Sequence, residues 1–215
     1  MENYSLHERR AGILMPIFSL PGKYGIGSFS EEAREFIHFL KEAGQSYWQI
    51  LPMGPTGYGD SPYQSFSTFA GNPYFIDLDT LLSEGLLKEE ELEGLSFSDQ
   101  EDRVDYGKLY TLRFPVLDKA VRRFLERIEK AEGKKEKEEY HLFLEENAHW
   151  LPSYAAFMAK KMPYSPAFHE VCQFLFFRQW MALKAYANAE GIRIIGDIPI
   201  YVSMDSSDVL DHPDL

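Results

Sequence analysis

Two short apolar runs joined by an amphipathic helix constrain this chain more than any other feature. Ile13 to Leu20 is apolar and ends at Pro21-Gly22, as a buried strand would. Ser30 then stands where a helix N-cap belongs, and Glu31 and Glu32 follow in the first turn, where carboxylates suit the positive end of the helix dipole. Phe36, Ile37 and Leu40 form an apolar stripe, and Gly44 is a natural residue just past a helix end. A second buried run, Tyr47 to Met53, stops around Pro52 to Pro55. Strand, helix and strand with short links make a βαβ unit, which requires parallel strands and a right-handed crossover.

The same pattern returns near the end. Ser165-Pro166 opens a long helix with a capping hydroxyl and a proline in the first turn; the helix ends at Gly191. Ile192 to Ile200 follows as a third buried strand, broken by Gly196 and Asp197. Between the second and third strands, Thr80 to Met162 reads as helical. Leu109 to Lys130 has the helix period, and Pro115 is expected to kink or reset it. The mixed charge of Glu126 to Glu146 fits a solvated helix face and turn. The organisation expected is an α/β chain in three parts: residues 1–79 with two strands and a long loop, 80–164 as a helical insertion, and 165–215 with a helix and the third strand.

Composition narrows the partners. With 22 basic and 34 acidic side chains the net charge is −12, which disfavours nucleic acid and anionic membranes. The single cysteine, Cys172, cannot form an internal disulfide, and this suits a reducing compartment. Met1 to Gly12 lacks the apolar core of a signal peptide, and no run approaches a membrane span, so a cytoplasmic location is expected. Neither Gly25-Ile26-Gly27 nor Gly57-Tyr58-Gly59 completes a dinucleotide loop, and GxxxxGK[ST], HExxH and CxxC patterns are missing. No cofactor is therefore expected. Asp205, Asp208 and Asp211 lie three apart, but without a calcium-loop glycine and bidentate glutamate they read as helix-start carboxylates rather than a metal site.

Two segments carry chemistry. Gly57 to Phe66 sits after a strand, where parallel α/β folds place ligands. It sets short polar groups (Asp60, Ser61, Gln64) beside aromatic rings (Tyr58, Tyr63, Phe66), which suits sugars with their hydroxyl edges and C–H faces. By composition alone, an aromatic loop packing onto the fold is an equal alternative. In Gly196 to Val202, Asp197 ends an apolar strand, where a carboxylate is costly unless it is paired or faces a ligand cleft.

At these segments the chain resembles the 4-α-glucanotransferases, or amylomaltases, of glycoside hydrolase family 77. The residues that carry the likeness are Ser19 to Gly27, Tyr47 to Pro52, Gly54 to Ser65, Ala70 to Tyr74, Phe176 to Trp180 and Gly191 to Ile200. The resemblance implies a (β/α)8 barrel of the α-amylase type, of which this chain supplies the first three strands with an insertion between strands two and three. It also implies a retaining transfer of α-1,4-glucan segments between maltooligosaccharides. On this likeness Ser61 and Tyr63 line the glucan cleft and Asp197 lies near its central subsites, while Tyr58 and Tyr110 form a second glucan-contact surface. The family's nucleophile, acid/base and transition-state carboxylates belong to later strands, so no residue here inherits a catalytic role. Open strand edges and apolar faces that the remainder of the barrel would cover are expected to be exposed. The alternative is a stand-alone, non-catalytic module that binds α-glucan or pairs with another subunit. A phosphate-binding barrel enzyme fits the strand–helix order but not the loops, which in such barrels follow the last strands.

Overall fold

A computed structural model describes residues 9–57, 59–100 and 102–214 of the chain. Tyr58, one of the residues expected to contact glucan, lies outside the described residues, as do residues 1–8. Three short strands, β1 (Gly12–Leu14), β2 (Tyr47–Gln49) and β3 (Arg193–Ile195), form a parallel sheet in the order β1-β2-β3. Gly12, Tyr47 and Arg193 share one register, as do Leu14, Gln49 and Ile195.

All three strands are shorter than their apolar runs suggest. Met15 still donates to the Gln49 carbonyl (2.9 Å), but Pro16 has no N–H to continue, and Ile17–Ser19 coils into a 3-10 turn. β2 gains one further bond, from Ile50 N to Ile195 O (3.0 Å), before Pro52. The run Ile192 to Ile200 is not a buried strand throughout. Its extended part stops at Ile195 on the edge of the sheet, and Ile198 and Ile200 are 77% and 98% exposed.

The central strand anchors the sheet through Trp48, which is fully buried, meets Phe36 edge-on, and donates its indole N–H to the Met15 carbonyl (2.7 Å). Helix α1 (Glu31–Glu42) joins β1 to β2 and buries Ala33, Ile37 and Leu40. Ser30 occupies its N-cap position, yet the hydroxyl makes no capping bond and is buried without a partner. Gly44 closes the helix at φ 67°, a backbone region that a Cβ disfavours.

Between β2 and β3 come α2 (Leu78–Ser83), a single turn α3 (Tyr106–Lys108), α4 (Phe114–Ile128), α5 (Lys134–Glu146) and α6 (Leu151–Lys161). A π turn, Leu109–Arg113, precedes α4, so Pro115 sits in the first turn of a reset helix where its missing N–H costs nothing. Helix α7 (Pro166–Ala189) is capped by the Ser165 hydroxyl, which accepts from Phe168 N (3.2 Å). From Phe168 to Phe176 every residue but the half-buried Glu170 is buried, so this stretch carries no solvated polar face. A short helix, α8 (Ser207–Asp211), follows β3.

Candidate functional site

The C-terminal ends of β2 and β3 lie side by side, and the long loop after β2 folds back toward them. The loop is closed at its base by an isolated antiparallel bridge between Thr56 and Ser65. Within it, Asp60 N donates to Gly57 O (3.1 Å) and Gln64 N to Ser61 O (3.1 Å). Asp60 has a positive φ of 55°, in the left-handed region that aspartate adopts more readily than most residues with a side chain. Ser61 turns its hydroxyl inward to accept from Tyr63 N (3.3 Å).

One contact joins the two expected segments. The Tyr63 hydroxyl donates to Asp197 Oδ2 at 2.7 Å, across 134 residues of sequence. Asp197 Oδ1 accepts from Ile198 N (2.9 Å), so both oxygens of the carboxylate are oriented at the end of β3. This partnering answers the desolvation argument made for Asp197, which is partly exposed. Tyr63 itself is 44% exposed, and the bond to Asp197 holds its phenol proton more tightly than usual.

The aromatic loop divides between the two roles open to it. Phe66 is half-buried against Phe157 (ring centroids 5.9 Å) with Lys161 over its face, and so it packs. Tyr63 and Gln64 face solvent. Asp60 lies within electrostatic reach of the Tyr74 and Tyr106 hydroxyls and helps push both up, although burial is the larger cause; partial burial also raises the Asp60 carboxyl. Tyr110, half exposed, belongs to another wall, where it meets Phe114 edge-on at 5.8 Å and lines a cavity with Pro55 and Thr56.

The support beneath the loop went unnoticed in the sequence. Gly71 N donates to Gln173 Oε1 (2.7 Å), and Gln173 Nε2 donates back to Gly71 O (2.8 Å). Six residues along α7, Gln179 treats Asp77 in the same way, at 2.7 and 3.2 Å. Two amide side chains thus act as backbone partners for residues 71–77, whose polar groups are buried. Their signal was two glutamines set among large apolar residues of α7, since a buried polar side chain needs a reason. At Gly71 a Cβ would lie 2.1 Å from the Phe176 ring, so only glycine lets loop and helix approach this closely. Arg113, fully buried, clamps the same segment by donating to Ile76 O (2.5 Å) and Tyr24 O (3.5 Å); burial lowers its pKa to about 10.

Among the described residues no group of three or more His, Cys, Asp and Glu side chains is placed to hold a metal ion. Two of the C-terminal aspartates have protein partners: Asp205 takes Lys161 at 2.6 Å, and Asp208 accepts from Thr68 N at 2.8 Å. No helix among the described residues is long and apolar enough to cross a membrane.

Comparison with known proteins matches a family model described as 4-alpha-glucanotransferase over residues 15–166 and 160–215. The 4-alpha-glucanotransferase of Streptococcus pneumoniae is 44% identical over 240 aligned residues, which cover 98% of this chain and 46% of that protein. The corresponding protein of Thermus thermophilus is 47% identical, with 96% and 45% covered. An amylomaltase from Streptococcus agalactiae, solved in complex with acarbose, superimposes with a TM-score of 0.88 at 40% identity, over 97% of this chain and 47% of that one. The amylomaltase of Corynebacterium glutamicum, at 17% identity, shares the fold with a TM-score of 0.78, over 95% of this chain and 32% of that one. The chain thus spans about half the length of the curated relatives it matches.

Proposed function

The chain belongs to the 4-alpha-glucanotransferase family, and on that premise we propose that it is the substrate-cleft half of an enzyme that moves α-1,4-glucan segments between maltooligosaccharides. The sheet β1-β2-β3 is then the start of a (β/α)8 barrel, and residues 80–164 are an insertion between its second and third strands. The observation that carries this reading is the bond from Tyr63 to Asp197. It joins a polar-aromatic loop and a carboxylate at the C-terminal end of a parallel sheet, where barrels bind their substrates.

In this cleft Asp197 accepts from sugar hydroxyls, and the exposed Tyr63 ring supports a C–H face of a glucose unit. The Tyr63 hydroxyl fixes the carboxylate's direction. Ser61 and Asp60 complete the polar edge, and Tyr58 and Tyr110 form a second glucan-contact surface. The reaction is a double displacement. A carboxylate attacks the anomeric carbon while a second carboxyl gives its proton to the leaving glycosidic oxygen. The acceptor's 4-hydroxyl then attacks the same carbon and returns a proton to that second group. Both carboxyls come from strands outside these 215 residues, and Asp60 and Asp197 serve binding only. The exposed apolar side chains of Leu14, Ile195, Ile198 and Ile200 support the remaining strands as the partner of this half.

The test is disproportionation of maltotriose by the full-length protein, followed as glucose and longer oligomers. Tyr63→Phe is expected to reduce transfer about tenfold, the value of one hydrogen bond that orients a charged group. Asp197→Asn is expected to reduce it further. Transfer that is undiminished by both substitutions, or absent from the unsubstituted protein, would sink this reading.

A further inference from the structure

An open groove of about 1090 Å³ runs between the segment after β1 and the segment that leads into α3. Phe18, in the turn that follows β1, lines it, so the groove reaches the end of the sheet that carries the Tyr63–Asp197 pair. Tyr106 lines it too, and Asp60 lies within electrostatic reach of the Tyr106 hydroxyl. The polar-aromatic loop therefore borders both the cleft and the groove.

The two walls are fixed to each other. Tyr24 meets Phe97 edge-on at 5.8 Å, and a Cβ on Gly25 would lie 2.8 Å from Phe97, so only glycine permits this approach. Asp79 takes Lys23 (3.0 Å) and the Tyr24 hydroxyl (2.5 Å), which ties the first wall to α2. In the second wall Ser98 donates to the Gln100 carbonyl (2.6 Å), and Ser96 to the Ser98 carbonyl (3.0 Å). A groove whose shape is set before a ligand arrives loses little freedom in binding one.

The chemistry of the lining selects the ligand. Lys23 and Arg103 are balanced by Asp99 and Asp102, so the groove has no net charge to draw an anion or a cation. Phe18 and Tyr106 are half-buried rings whose remaining surface can meet C–H faces. The Ser96 hydroxyl donates its proton to the Ser98 carbonyl, which leaves its lone pairs to accept, and exposed Gln100 both donates and accepts. Apolar faces beside neutral hydrogen-bonding edges match a sugar chain better than an ionic or a wholly apolar ligand. A cavity of roughly 150 Å³ holds one benzene ring, so this groove has room for several sugar rings in a row.

We propose that the groove is an outlying binding site for α-glucan, which takes the far units of a long chain as it leaves the cleft past Asp60 and Tyr106. The proposal rests on the glucan reading of the cleft and adds to it a preference for long substrates. The ratio of kcat/KM for soluble amylose to kcat/KM for maltotriose is measured in the full-length protein. Ser96→Leu, which removes an acceptor and puts apolar bulk in the groove, is expected to lower that ratio about fivefold, the value of one hydrogen bond. The backbone amides of Ser96 and Gln100 are followed by NMR as maltoheptaose is added. Saturable shifts are expected, with a Kd on the order of 1 mM. A ratio unchanged in a Ser96→Leu protein that still unfolds cooperatively overturns the proposal. So do amides that stay silent under maltoheptaose, as when the rest of the protein fills the groove, or that shift with inorganic phosphate instead. Each of these failures leaves transfer from maltotriose intact, whereas absence of that transfer from the unsubstituted protein defeats the reading of the cleft.

Discussion

Two apolar stretches of similar length meet opposite fates in this molecule. Phe168 to Phe176 in α7 is buried at every residue but Glu170, whereas Ile195 to Met204 leaves Ile198, Ile200, Tyr201 and Met204 largely in solvent. Hydrophobicity alone does not distinguish them. The first stretch has neighbours on all sides, in α4, α5, α6 and the turn Pro73–Phe75. The second leaves the sheet at its edge strand, with no further strand beside it among the described residues. Apolar sequence states a demand for burial, and only topology says whether the fold meets it.

The largest test of the satisfied side is Trp48→Ala. It removes the largest fully buried side chain, from the central strand β2, together with its bond to Met15, and is expected to cost about 4 kcal/mol in denaturant unfolding. A cost under about 1 kcal/mol would mean that the sheet is not part of the cooperative core.

Acid makes the next test. His169 has its pKa lowered to about 4 from 6.5 by burial, so between these values the unfolded chain binds a proton that the folded chain refuses. Stability therefore falls as pH drops through this window, by about 3 kcal/mol in all. Unfolding midpoints measured at pH 7 and pH 4.5 should converge in His169→Phe. Below pH 4.5 a second loss begins, because Arg123 holds the Glu91 carboxyl down at about 2 and protonation then breaks that pair. An acid slope unchanged in His169→Phe would refute the assignment.

Gln173→Leu is expected to cost about 2 kcal/mol, because it keeps the helix apolar but orphans both backbone groups of Gly71. This residue also marks where sequence reading ended. The βαβ unit, the capped helix α7 and the reset at Pro115 rest on local periodicity and caps, and were legible; the Gly57–Phe66 loop and Asp197 each stood out by their chemistry, but the bond between them did not. Strand lengths were not, since an apolar run does not reveal where Pro16 or an absent neighbour ends the ladder. The roles of Gln173 and Gln179 depend on partners 102 residues away, and no local pattern names a partner at that distance.

The smallest expected effect separates the two stretches most sharply. At 98% exposure, Ile200 gives up no buried area in the 215-residue chain, so Ile200→Ser should change its unfolding free energy by less than about 0.5 kcal/mol. In a full-length protein whose later strands cover this edge, the same substitution should cost about 2 kcal/mol, the value of burying one such side chain. The comparison uses each form as its own reference, so differences in their total stability cancel. A small cost in both would mean that Ile200 faces solvent in the complete fold, and its exposure would then reflect the loop's design. A large cost in the full-length protein alone would identify the stretch from Ile195 to Met204 as interior whose other half lies in the rest of the fold.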